Sequence, residues 1–287
     1  MKHFYLLFIS LSIFFASCEV INPAEDIPAN ITINSFEFST EAGQGTSLAN
    51  INDSWVYVNG ELIGAFEMPT TVPILKSGTQ ILEIRPGVIL NGIGGTRSRN
   101  PFFTTYTITQ DLVPDETISI KPKSEYVKGT LFPWNARGEE DFEEGGISID
   151  SVSGSSTKVI KSNEDIFEGS YSGKIYLDSQ HKNYMGQSQK VFQLPKSGAY
   201  VVMEMNIKNT TTPFSIGMYV NLASGQVKEV QHLTINTGPN WKKIYVNFTE
   251  LVSYYTDAVG YRVFFKADLG TSSESTIFLD NIKIMHF

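Results

Sequence analysis

The chain has 287 residues, with 22 Lys and Arg against 30 Asp and Glu, a formal net charge of −8 and no run of basic residues. That balance excludes nucleic acid as a partner, because neutralising phosphates is the dominant affinity term there. Only 18% of residues are charged and aromatics are plentiful (19 Phe, 13 Tyr, 3 Trp), so the chain can bury a sizeable core, and its length suits about two domains.

Met1-Lys2-His3 is followed by an apolar run from Phe4 to Phe15, broken only by two serines, and then by Ala16-Ser17-Cys18. A basic start, a short apolar stretch and small residues before a cut make a secretory signal. The run is too short for a bilayer, which needs about 20 residues. Cys18 is the only cysteine, so it has no disulfide partner. Phe15-Ala16-Ser17-Cys18 resembles a bacterial lipobox, with Phe where Leu is usual and Ser where Gly or Ala is usual. The resemblance implies that residues 1–17 are removed as a signal peptide and that Cys18 carries covalent lipid. One acyl chain binds a membrane marginally, and two or more anchor stably.

Residues 18–30 contain Pro23 and Pro28 among polar residues and read as a lipidated, semi-extended tether. Cys18-Glu19, followed by Glu25-Asp26, resembles the mature ends of lipoproteins of the Bacteroidota. There, acidic residues soon after the lipidated cysteine go with surface display. The implied location is the outer membrane, lipid-anchored and facing the cell surface.

Beyond the tether, helical periodicity is nearly absent. Short alternating runs bounded by Gly, Pro, Asn and Asp predict an all-β protein: a small N-terminal β-sandwich followed by a C-terminal jelly-roll β-sandwich. The one helix expected is short, over Thr249–Tyr255. The first domain is placed at 31–133. It opens with a strand carrying Ile31 and Ile33. Trp55-Val56-Tyr57-Val58 then leads through Asn59-Gly60 into Glu61-Leu62-Ile63-Gly64, and Asn-Gly between two apolar runs is a strong signal for a type I′ hairpin. That hairpin, Met68-Pro69, Leu75–Gln80 and the return run Ile81–Gly87 together resemble the PEGA-type surface module, with Thr79-Gln80 in place of its histidine region. The stretch Asn91–Arg99 is glycine-rich and holds Arg97 and Arg99. It could cradle an anion, but it lacks a Lys-Ser/Thr pair and a following helix, so a plain loop is expected.

Residues 134–146 read as a linker, and the second domain is placed at 141–287. Its strands are expected near Ser172–Leu177, Gln187–Leu194, Ala199–Ile207, Phe214–Leu222, Val227–Ile235, Trp241–Phe248, Gly260–Lys266 and Thr276–Met285. Asp141-Phe142-Glu143-Glu144-Gly145, Phe167–Ile175, Trp241–Phe248 and Ile277–Ile284 resemble carbohydrate-binding modules of the galactose-binding-like jelly-roll class. Such modules often hold one structural calcium. The resemblance implies Glu143, a carbonyl near Gly169, and Asp280 as its ligands, and hard oxygens suit that ion. The rival reading is solvated acids on a loop.

Alternation along the strands sorts the side chains into two sets. On that basis one sheet face is expected to carry Tyr200, Glu204, Asn206, Tyr219, Asn221, Arg262 and Phe264. Aromatic plates beside amides and charge suit a sugar, whose C–H face stacks on a ring while its hydroxyls bond to polar groups. The same set would serve a protein contact, or be a solvated or domain-packed face.

No enzyme is expected. The carboxylates Glu139, Glu140, Asp141, Glu143 and Glu144 crowd one segment, where repulsion favours solvation, instead of facing one another across a cleft. His181, His232 and His286 are scattered and no Gly-x-Ser-x-Gly elbow occurs. Asp150-Ser151-Val152 resembles the short O-glycosylation signal of exported Bacteroidota proteins. Two functions remain open. One is a non-catalytic accessory subunit of an outer-membrane complex, docking onto a β-barrel assembly, secretion or uptake machine. The alternative is a surface glycan-binding protein of a polysaccharide-capture system.

Overall fold

The structure is a computed structural model and describes residues 26–287. Cys18, the signal and most of the tether lie outside the described residues. The ten strands of the first domain are β1 (Ala29–Ile33), β2 (Glu37–Ser39), β3 (Asp53–Val58), β4 (Glu61–Glu67), β5 (Thr70–Ile74), β6 (Gly78–Ile89), β7 (Arg97–Arg99), β8 (Tyr106–Leu112), β9 (Thr117–Ile120) and β10 (Lys123–Glu125). The second contributes β11 (Ile149–Ser151), β12 (Ile160–Ser162), β13 (Ser172–Leu177), β14 (Asn183–Ser188), β15 (Val201–Asn209), β16 (Phe214–Leu222), β17 (Val227–Ile235), β18 (Lys242–Asn247), the helix α1 (Thr249–Tyr254), β19 (Ala258–Asp268) and β20 (Ser275–His286). No helix among the described residues is long and apolar enough to cross a membrane.

The first domain is a small β-sandwich. Ala29, Ile31 and Ile33 of β1 alternate with polar residues and point at Val56, Val58, Leu82 and Ile84 of the facing sheet. Strand β1 pairs antiparallel with β5 and parallel with β9, while the facing sheet runs β4-β3-β6-β7 with β8 on β6. The Asn59-Gly60 turn has both residues at positive φ (50° and 81°), the backbone a type I′ hairpin needs. Part of the expected loop over 91–99 is strand: Arg97–Arg99 pairs with Gly87–Ile89.

The second domain stacks two five-stranded sheets, β11-β14-β19-β16-β17 and β12-β13-β20-β15-β18. Phe214, Ile216, Met218, Val220 and Leu222 point inward from β16 and meet Val201, Met203, Met205 and Ile207 of β15 in one core. Residues 134–146 are not a linker. Trp134 (2% exposed) and Phe142 (fully buried) belong to that core. Gly173 makes room for Phe142, since a Cβ there would lie 2.3 Å from its ring.

The sandwiches are joined side to face. Val88, Phe102, Phe103 and Tyr126 of the first pack on Val202, Tyr245 and Met285, which project outward from the β12-β13-β20-β15-β18 sheet. Backbone bonds stitch the junction, including Asn91 N to Tyr245 O at 2.7 Å and Leu131 N to His286 O at 2.8 Å. Of the second sandwich's two outer faces, one is therefore covered by the first domain and the other is open.

Candidate functional site

The open face belongs to the β11-β14-β19-β16-β17 sheet. Cross-strand register sets its rows: Tyr219 of β16 lies opposite Arg262 of β19 and Glu229 of β17. In the next row Gly217 lies between Phe264 and Gln231, with Gln187 beyond Phe264. Gly217 is required here. A Cβ at that position would sit 2.4 Å from the Phe264 ring and 2.3 Å from the Val230 carbonyl. The Phe264 ring occupies that space, wholly buried although its strand face is the outer one. Tyr219 props against it, with ring centroids 4.9 Å apart, and the Lys266 ammonium lies 5.0 Å from the same ring.

Tyr219 is thus the half-buried plate of this face and Phe264 its support. Burial foremost, with Glu229 beside it, raises the Tyr219 hydroxyl above its ordinary range, so it stays neutral and able to donate. Lys266 pairs with Glu229 at 2.6 Å. Arg262 donates to the Ser188 carbonyl at 2.7 Å and also to that of Gln189, which fixes the loop after β14. Asn221 is half-buried one row away, opposite Gly260.

Only four of the seven expected face residues meet here: Tyr219, Asn221, Arg262 and Phe264. Glu204 and Asn206 stand on β15, in the other sheet, and are fully buried under the first domain. Tyr200 precedes β15 and is 51% exposed beside the first domain. Alternation shows which residues share a side of one strand. It does not show to which sheet the strand belongs, and β15 joins β20 and β18 while β16 joins β19 and β17. Gln187, Glu229, Gln231 and Lys266 were absent from the expected set, although all four fall on the polar side of their strands.

Glu204 is the centre of a buried ion network at the domain junction. Lys243 and Lys283 each lie 3.1 Å from its Oε1, and the Tyr126 hydroxyl donates to the same oxygen at 3.1 Å. Lys283 also lies 3.4 Å from Glu139 and donates to the Gln44 carbonyl at 2.7 Å, and Lys243 donates to the Leu48 carbonyl at 3.0 Å. Burial pushes the Glu204 carboxyl up, but the two ammoniums outweigh burial and hold it below the usual carboxylate range. Two lysines and two glutamates therefore balance in a site closed to water.

The carboxylates of the 139–144 segment all have partners, and all but Glu144 are at least partly buried. Glu139 is 6% and Glu140 3% exposed. Glu140 accepts the Phe142 N–H at 3.1 Å and both the N–H and hydroxyl of Ser148. Asp141 and Glu144 pair with Arg137. Glu143 accepts the N–H groups of Ser170 (2.7 Å) and Tyr171 (2.9 Å).

At the calcium position implied at Glu143, Gly169 and Asp280, part of the carboxylate capacity is already in use. Among the described residues no group of three or more His, Cys, Asp or Glu side chains is placed to hold a metal ion. Gly169 approaches Glu143 so closely that a Cβ there would lie 2.4 Å from its Oε1. Asp280 accepts the N–H of Asn281 at 2.9 Å and that of Glu168 at 3.3 Å. Both N–H donors on Glu143 bond Oε1, and each N–H so held takes a lone pair that a cation would otherwise use. Burial pushes the Asp280 carboxyl up to about 8 despite these bonds. A folded pKa above the unfolded one favours the folded state below the unfolded pKa, and that contribution is lost as pH rises through the folded value. Asp280 therefore costs stability progressively between about pH 4 and pH 8. The expected result is that Asp280→Asn flattens the fall of Tm across that window, measured as the difference between variant and wild-type melts. Parallel curves for the two proteins would contradict it.

No family model matches the chain. No curated protein matches it. Solved structures similar to it include the C-terminal family 22 carbohydrate-binding module of Clostridium thermocellum Xyn10B (16% identity, 52% of this chain and 92% of that one, TM-score 0.40). Another is the xylan-binding CBM22-1 domain of Paenibacillus barcinonensis Xyn10C (14% identity, 52% and 92%, TM-score 0.38). A third, from work on promiscuous carbohydrate-binding modules of the β-sandwich superfamily, spans 91% of this chain and 99% of that one at 14% identity and TM-score 0.39. Likeness of this degree carries no argument about a ligand. The all-β sandwich architecture stands on the chain's own sheets.

Proposed function

We propose that the protein is a non-catalytic glycan-binding protein, held at the outer membrane by lipid on Cys18, that takes sugar on the open face of its C-terminal sandwich. One observation carries the reading. The first domain covers one outer face of that sandwich and leaves free the one that bears a propped tyrosine among amides and paired charges. Tyr219 offers a ring for the C–H face of a pyranose, and Phe264 fixes that ring in place. Gln187, Gln231, Asn221 and Arg262 supply donors and acceptors for hydroxyls on either side. The engagement of all five carboxylates between Glu139 and Glu144 in hydrogen bonds and ion pairs supports a binding role over hydrolysis, which needs two carboxyl groups facing across a cleft. Docking onto an outer-membrane barrel protein is the weaker reading. A single supported ring in a polar surround suits sugar hydroxyls better than the desolvated aromatic cluster that anchors a protein contact.

The test is affinity electrophoresis of the full chain through gels holding a panel of soluble polysaccharides. At least one polysaccharide is expected to retard the wild type. Tyr219→Ala is expected to weaken that retardation at least tenfold, about 1.4 kcal/mol, with an unchanged melting temperature. Free passage of the wild type through every gel would overturn the proposal.

A further inference from the structure

A second cavity, of about 510 Å³, opens at the seam between the two domains, away from the open sheet face. Its wall is made by Arg85, Ser98, Arg99, Asn100 and Phe103 of the first domain and by Tyr200 of the second. No Asp or Glu lines it. The polar character of the wall is one-sided. Asn100 is 5% exposed, and its Oδ1 accepts the Phe102 N–H at 3.0 Å, but its Nδ2 has no partner. Arg85 spends Nη2 on Glu83 at 2.7 Å and lies over the Tyr57 ring, while its buried Nε is unpartnered. Arg97 is paired with Asp53 and Glu67, whereas Arg99, two residues on, pairs with no carboxylate among the described residues and leans over the Trp55 ring.

Buried donors without acceptors are rare in folded proteins, and those of Asn100 and Arg85 lie just behind the cavity wall, which gives that wall a positive lean. The Arg99 guanidinium, without a carboxylate partner among the described residues and on a wall that no Asp or Glu lines, suits an anion that can accept from several directions. Tyr200, half-exposed on the opposite domain, adds a ring for stacking, and the Ser98 hydroxyl adds a hydrogen-bonding partner. We infer that this seam is a binding site for a carboxylate-bearing sugar, a uronate, with its carboxylate on Arg99 and its ring against Tyr200. The site extends the glycan-capture reading by naming a class of sugar, but it stands on its own residues. The arginine-bearing stretch Asn91–Arg99, expected as a plain loop, supplies the guanidinium because its end is held as strand β7.

The experiment is isothermal titration of the full chain with oligogalacturonate, with the neutral galactose oligomer and with inorganic phosphate. The expected result is that oligogalacturonate binds, more weakly as NaCl is raised. Arg99→Gln and Tyr200→Ala each lower its affinity at least tenfold, and Tyr254→Ala, at an exposed ring outside both sites, leaves it unchanged. Arg99 is exposed, so its replacement does not threaten folding. Equal binding of oligogalacturonate by wild type and Arg99→Gln would overturn the inference. So would loss of binding in Tyr219→Ala alone, which would move the uronate to the open face. Phosphate matching oligogalacturonate in affinity would reduce the seam to a simple anion site and overturn the sugar assignment. If the seam fails while Tyr219→Ala still abolishes capture of another polysaccharide, the proposed function survives without it.

Discussion

Glu204→Ala is expected to lower the unfolding free energy by about 3–5 kcal/mol, a large part of the roughly 5–15 kcal/mol that holds a typical protein folded. The side chain is fully buried, and its Oε1 is shared by Lys243, Lys283 and the Tyr126 hydroxyl. Removing it leaves two ammoniums facing each other in a site closed by the first domain. Glu139 reaches only Lys283, at 3.4 Å, and cannot compensate both. The cost comes from stranded charge and not from the worth of the ion pair itself, because desolvating a buried pair offsets much of its Coulomb gain. Urea titration at neutral pH reads the loss directly. The partners of the two lysines include the Gln44 and Leu48 carbonyls of the first domain. The variant is therefore also expected to loosen the seam, seen as an increased radius of gyration in solution scattering. An unfolding free energy within about 0.5 kcal/mol of wild type, the ordinary range of a surface change, would mean that the domains do not close over this network.

Phe142→Ala is expected to cost a similar amount, about 3–5 kcal/mol, the usual range for emptying a buried phenylalanine site. Phe142 is fully buried, in a left-handed backbone conformation (φ 59°), with its ring in the space Gly173 leaves. The Cβ of alanine cannot fill that space, and the strands on either side are held by their ladders, so a cavity remains. Urea titration again supplies the measurement. The result separates two descriptions of residues 134–146. A tether between domains would tolerate the change within a few tenths of a kcal/mol, whereas a core element would not.

That segment shows why part of the fold was hidden in the sequence. Trp134 and Phe142 are separated by Asn, Ala, Arg, Gly and three acidic residues, and nothing in the period reveals that the two aromatics turn inward while the acids take N–H and cationic partners. Strands with clear alternation were legible: Phe214–Leu222, Val227–Ile235 and Ser172–Leu177 end where expected. Strand β14 was not. Its inward residues are Tyr184, Gly186 and Ser188, so the apolar rhythm is missing, and Gly186 is there to clear the Tyr184 hydroxyl. The expected run Gln187–Leu194 overlaps only its last two residues.

The candidate site was half legible for a related reason. Tyr219, Asn221, Arg262 and Phe264 share a face because β16 and β19 are neighbours, which two adjacent alternating runs with matching polar sides already suggest. Glu204 and Asn206 have the same alternation, yet they serve the domain contact. Strand order, set by the long-range pairing between β15 and β20, decides which outer face is covered. The role of Phe264 as a support depends on a single missing Cβ at Gly217, and only the cross-strand register brings those two together.

Hydroxyl-radical footprinting of the full chain, with and without the polysaccharide that retards it, tests capture on the open face most directly. Tyr219, half-buried on that face, is expected to lose reactivity when sugar is present. Tyr254, 79% exposed and remote in sequence from the face strands' centres, is expected to keep its reactivity. Unchanged oxidation at Tyr219 in a sample shown to be saturated with polysaccharide would contradict the assignment.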